Sequence, residues 1–104
     1  MVRHIVMFKL REFSNAEEKT KAVEAVRTNL IAMKKRITVI REFEVGINFN
    51  PADTAYDLVI NSTFASKNDL KIYQVHPAHQ ELVEYLQTIR ELRVAIDYEF
   101  EDEG

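Results

Sequence analysis

The opening stretch, VRHIVMFKL at residues 2–10, limits the possible folds more than any other. Successive side chains of a strand point to opposite faces. Val2, His4, Val6, Phe8 and Leu10 fall on one face, and Ile5 and Met7 on the other. A sheet with one solvated face alternates cleanly between apolar and polar residues. This strand is largely apolar on both faces, so its sheet needs two covers. A chain of 104 residues builds one core, because single domains commonly take roughly 100–150 residues. Helices of the same chain supply one cover. A second copy of the chain is the expected other one, sheet against sheet in a homodimer.

The rest of the chain supplies those helices. Ser14 is expected to cap the first, with Glu17 three residues on completing a capping box. Val23, Val26, Leu30 and Met33 recur at helical spacing and form a core stripe. Lys34, Lys35 and Arg36 suit the negative end of that helix. Residues 38–49 read as a second strand. Phe43, Val45, Ile47 and Phe49 share one side, assigned to core or, for some of them, to the dimer interface. Glu42 and Glu44 share the other, and Gly46 marks a possible bulge. NPADTAY has loop chemistry. Residues 57–64 are a third strand, with Leu58, Ile60 and Phe64 opposite Val59. Ser66 and Asp69 start a short helix that stops near Val75, because Pro77 disfavours helical geometry at His76. Pro77 then opens another helix, whose apolar side is Leu82, Val83, Tyr85, Leu86, Ile89 and Leu92. Residues 93–100 form the last strand, with Val94, Ile96, Tyr98 and Phe100 on one face. The plan is α+β, ferredoxin-like βαββαβ: a four-stranded antiparallel sheet with helices on one face. One domain spans 1–104, with its core at about 2–100 and an acidic C-terminal tail in EFEDEG.

Composition narrows the function. The net charge is −3 and no basic stripe occurs, so neither nucleic acid nor an anionic membrane is an expected partner. The chain has no cysteine, which excludes disulfide and thiolate chemistry. No apolar run approaches the roughly 20 residues of a membrane span. The first residues read as a strand rather than a signal peptide, and a cytoplasmic location is expected. Two isolated glycines cannot build a phosphate-binding loop, and no cofactor is expected.

The segment YQVHPAHQEL, residues 73–82, holds two of the three histidines. It has two readings. In one, Pro77 opens a helix, His76 caps it and His79 is a partly buried polar residue with a backbone partner. In the other, His79 does acid–base work. The positive end of a helix lowers a histidine pKa, and a neutral imidazole accepts a proton from an acidic carbon or phenol. Tyr73 would then donate a hydrogen bond to a developing enolate. His4 sits among apolar residues on the first strand, where a histidine is more often a satisfied core residue than a catalyst. A metal site is not expected, because HPAH is not an HExxH helix and no cysteine assists.

With VRHIVMFKL, YDLVINSTF, YQVHPAHQEL and IDYEF placed, the chain resembles the stress-responsive A/B barrel domain family, the dimeric α+β barrel proteins. The resemblance spans nearly the whole domain. Its most specific part is His4 on the first strand combined with HPAH after the short helix. The family's fold is a ferredoxin-like unit whose sheets pair face to face. Most members have no assigned reaction, and some plant members are stress-induced. One plant member, olivetolic acid cyclase, closes a polyketide ring by aldol condensation. The residues matching its pocket are His4, Tyr73 and His79. Where it carries a further histidine in the mid-chain strand, this chain has Leu58, or Asp57 with the alignment moved by one. The resemblance thus implies catalytic candidates His4, Tyr73 and His79, with His76 and Leu58 as ligand-binding candidates. It implies a dimeric protein whose apolar cleft binds a small aromatic or polyketide-like molecule. The alternative is an enzyme, a polyketide cyclase or a cofactor-free monooxygenase, with His79 as base.

Overall fold

The computed structural model describes residues 1–101. The rest of the expected acidic tail, 102–104, lies outside them. The elements are β1 (Val2–Leu10), α1 (Ala16–Arg36), β2 (Ile40–Ile47), β3 (Leu58–Phe64), α2 (Lys67–Val75), α3 (Pro77–Gln87) and β4 (Arg90–Glu99). The four strands form one antiparallel sheet in the order β2-β3-β1-β4. This is the ferredoxin-like plan, with the second helical segment divided at Pro77.

The β1 face carrying Val2, His4, Val6, Phe8 and Leu10 is buried against the helices. The stripe Val23, Val26, Leu30 and Met33 of α1 meets it, with Val26 and Leu30 fully enclosed. Each such side chain contributes about 1.5–3 kcal/mol through removal of apolar surface from water. Directly paired residues of neighbouring strands share a face. Phe43 pairs with Ser62 and Val45 with Ile60, so both project toward the helices and pack on the core. They do not belong to the second face, to which the sequence reading gave part of this set.

Several boundaries differ from expectation, each for a local reason. Asn15, not Ser14, caps α1: its Oδ1 accepts from the amide of Glu18 at 2.9 Å, and the Ser14–Glu17 box does not form. Strand β2 stops at Ile47 rather than residue 49. Asn48 and Asn50 take the backbone into side-chain-closed turns, an alternative to ladder bonds that short amides offer. Helix α3 ends at Gln87, where the Thr88 hydroxyl donates to the carbonyl of Tyr85 at 2.6 Å. Pairing with β1 then begins at Arg90, so Leu92 leaves the helix face for the strand. Gly46 is not a bulge. It pairs in register with Val59, and the register shift lies between Ile40 and Glu42. Glycine is required there for space, since a Cβ would lie 2.8 Å from Val59 Cγ1.

Asp57 ties the start of β3 to two other elements. Its amide donates to the Phe8 carbonyl at 2.8 Å, one carboxylate oxygen accepts from the Leu10 amide at 2.7 Å, and the other pairs with Lys19 of α1 at 2.7 Å.

The second face of the sheet is apolar mainly along β1 and β4, with Val59 of β3 beside them. Met7, Leu92, Val94, Ile96 and Tyr98 are exposed, Ile96 at 59%, and Ile5 and Val59 are half-buried. Among the described residues no helix is long and apolar enough to cross a membrane.

Candidate functional site

The site is built on β1. His4 pairs with Ser62 of β3 on one side and with Asp97 of β4 on the other. Its ring is buried, and Nδ1 donates to the Asp97 carboxylate. That bond leaves Nε2 of the neutral ring as an acceptor.

Tyr73 comes from α2. Ser66 starts that helix by accepting from the Asp69 amide at 3.1 Å, which settles the phase that turns Tyr73 inward. Its ring lies against Phe64, with centroids 5.1 Å apart. His79 comes from the other side of the Pro77 break. His76 is extended, and its Nδ1 accepts from the Ala78 amide at 3.0 Å, so it caps α3 with Pro77 in the first turn. One turn into α3, His79 reaches back to α2. Its Nδ1–H donates to the Gln74 carbonyl at 3.0 Å, one of the carbonyls that a helix end leaves unpaired. A carbonyl only accepts, so the proton sits on Nδ1 and Nε2 is free as a base.

These three residues converge. The ring centroids of Tyr73 and His79 are 4.5 Å apart, and those of His4 and Tyr73 are 6.1 Å apart. They line a cleft of about 270 Å³ between sheet and helices. Its apolar wall is Val6, Phe8 and Ile60 from the sheet and Leu82, Val83 and Leu86 from α3. Arg90 and Arg93 of β4 complete the lining. His76 and Leu58 are not among the lining residues: His76 is engaged in capping α3, and Leu58 is buried in the core farther along β3.

Burial pushes the pKa of His79 below 6.5. The bond to Gln74 opposes this, and the charge of Arg93, with those of His4 and His76 whenever they are protonated, adds to it. Burial raises the Tyr73 phenol to about 12, with Arg93 opposing. Near neutral pH the cleft therefore presents an uncharged imidazole as proton acceptor and an intact phenol as donor. Among the described residues no three His, Cys, Asp or Glu side chains are grouped to hold a metal ion.

Asp97, Arg90 and Arg93 were missed when β4 was read by its apolar residues alone. The signal lay in the opposite phase of that strand: Arg93 and Asp97 alternate with Val94 and Ile96 and pair with Phe8 and His4.

The profile of the family described as Stress responsive A/B Barrel Domain matches residues 2–100. The chain is similar to a dimeric protein of unknown function and ferredoxin-like fold from Bacteroides fragilis, at 37% identity over 95% of each chain, with a TM-score of 0.83. It is also similar to a Dabb family protein from Mesorhizobium loti, at 24% identity over 97% of each chain and a TM-score of 0.72. A hydroxynitrile lyase from Passiflora edulis shares the fold, at 20% identity over 99% of this chain and 95% of that one, with a TM-score of 0.74. No curated protein matches the chain.

Proposed function

The chain belongs to the stress-responsive A/B barrel domain family, and from that premise we propose that it is a homodimer whose subunits each bind a small molecule in the cleft between sheet and helices. The convergence of His4, Tyr73 and His79 on one apolar cleft carries this reading. A few polar groups meeting in a greasy cavity are the usual form of a small-ligand site. The volume sets the scale. A dry cavity of about 150 Å³ holds benzene, so 270 Å³ suits one substituted ring better than a fused system. A larger groove, about 520 Å³, lies beside Met7, Gly46, Tyr56 and Val59. It borders the exposed apolar face of the sheet, and we assign it to the subunit contact.

One observation favours a catalytic role as well. The Gln74 bond leaves Nε2 unprotonated on His79, a residue of the cleft wall. In such a reaction Nε2 takes a proton from an acidic carbon or phenol of the ligand. Tyr73 then donates a hydrogen bond to the resulting oxyanion, and His4 Nε2, an acceptor, orients a hydroxyl of the ligand.

The test is binding of single-ring ligands by NMR to the native chain and to Val83→Phe, which fills the cleft from a half-buried position of its wall. The expected result is ligand-dependent shifts at Tyr73 and His79 that disappear in Val83→Phe. Unchanged binding in that variant, or no binding to the native chain, would overturn the reading.

A further inference from the structure

Residues 90 and 93 are three apart on a strand, and in a regular strand they would face opposite sides of the sheet. Here they do not. Arg93 pairs with Phe8 and Leu92 with Lys9, whereas Arg90 pairs with Leu10, and the register shifts between Lys9 and Leu10. One extra residue of β4, Glu91, is accommodated at that point. A bulge of this kind re-aims the side chain beyond it. Its effect is to turn Arg90 to the face already held by Arg93, so that both arginines line one cleft.

Neither arginine has a carboxylate partner among the described residues. The carboxylates of β4 are otherwise placed. Asp97 accepts from His4, Glu99 pairs with Lys67 at 2.9 Å, and Glu91 lines a separate groove with Lys9 and Arg11. The chain as a whole is anionic, at −3, so the positive charge of the cleft is a local feature. Guanidinium groups bind carboxylates through paired, parallel hydrogen bonds.

We propose that the cleft selects a single-ring organic acid, with the ring against Phe8, Leu82 and Leu86 and the carboxylate held by Arg90 and Arg93. The inference rests on the cleft-binding reading above and adds the charge of the ligand to it. The arrangement places the carboxylate at the β4 side and the opposite end of the ligand near Tyr73 and His79.

The experiment compares isosteric pairs, benzoate with benzamide and phenylacetate with phenylacetamide, by NMR titration of the intact chain at low salt. Each acid should bind at least tenfold more tightly than its amide. The preference should shrink with added salt and fall to about one in Arg90→Gln/Arg93→Gln. Equal binding of acid and amide would overturn the inference and leave the cleft reading intact. An acid preference that survives the double substitution would also overturn it, because another cation would then be responsible. Failure of all four compounds to bind would count against the cleft reading itself, and the inference would fall with it.

Discussion

His4 and Asp97 stand directly opposite each other in the β1–β4 ladder, and the buried imidazole donates Nδ1–H to the half-exposed carboxylate. The bond fixes both the tautomer and the orientation of a ring that would otherwise turn within the cleft. Asp97 is thus a positioning residue. Asp97→Ala should cost no more than about 1 kcal/mol of stability, since one partner is solvated. Cleft-ligand affinity should nevertheless fall severalfold, and the His4 ring signals in NMR should broaden or double. Unchanged ring signals would contradict the positioning role.

His79 gives the fold a pH dependence of defined sign. Its folded pKa lies below 6.5, so between the two values the unfolded chain binds a proton that the folded chain refuses. Stability from this group is therefore complete above about 6.5 and declines as pH falls through the window to the folded pKa. Urea unfolding at pH 7.5 and 5.5 should show a larger loss for the native chain than for His79→Gln. Equal losses would show that His79 is not held neutral.

Gly46 tests packing between β2 and β3. A Cβ there meets Val59 Cγ1 at 2.8 Å, and Val59 is β-branched and stiff. Replacing a glycine with alanine commonly gains about 0.4–1 kcal/mol through the unfolded chain, but overpacking costs about 1–3 kcal/mol. Gly46→Ala should therefore be destabilising by about 1 kcal/mol in denaturant unfolding. In a Val59→Ala background the same substitution should become neutral or stabilising.

The exposed sheet face makes a separate claim. Ile96→Glu puts a charge in the middle of the apolar surface of β1 and β4, at a site open enough in one subunit to leave its fold unaffected. Sedimentation should give a native species of twice the 12.2 kDa chain and a variant at the chain mass. A native species at chain mass would contradict the dimer.

The architecture was readable because each element carried its own local signal. The double-sided β1 pattern, the α1 stripe, Ser66 and the Pro77 break each act within a few residues, and all recur in the structure. What escaped depended on partners distant in the chain. Phe43 and Val45 look the same whether they face a helix or a second subunit, and only their pairing with β3 decides. The competition between Ser14 and Asn15 is a contest of near-equal caps. At the site, Tyr73 and His79 were found because HPAH marks them. Arg90 was invisible, since the apolar pattern carried the helix through Leu92, and only pairing with Leu10 across the register shift turns it to the cleft. Asp57, a possible counterpart of a family histidine, proves to be occupied with the Leu10 amide and Lys19.

The measurement that bears most directly on the cleft is NMR titration of the histidine ring protons, with and without a saturating single-ring ligand. The structure requires His79 to titrate below 6.5, and ligand to move the His4 and His79 ring signals while leaving His76 near its free position. If His79 titrates at or above 6.5 and no ligand moves its signals or those of His4, the three residues form only a packed junction between α2, α3 and β1, and the binding function is wrong.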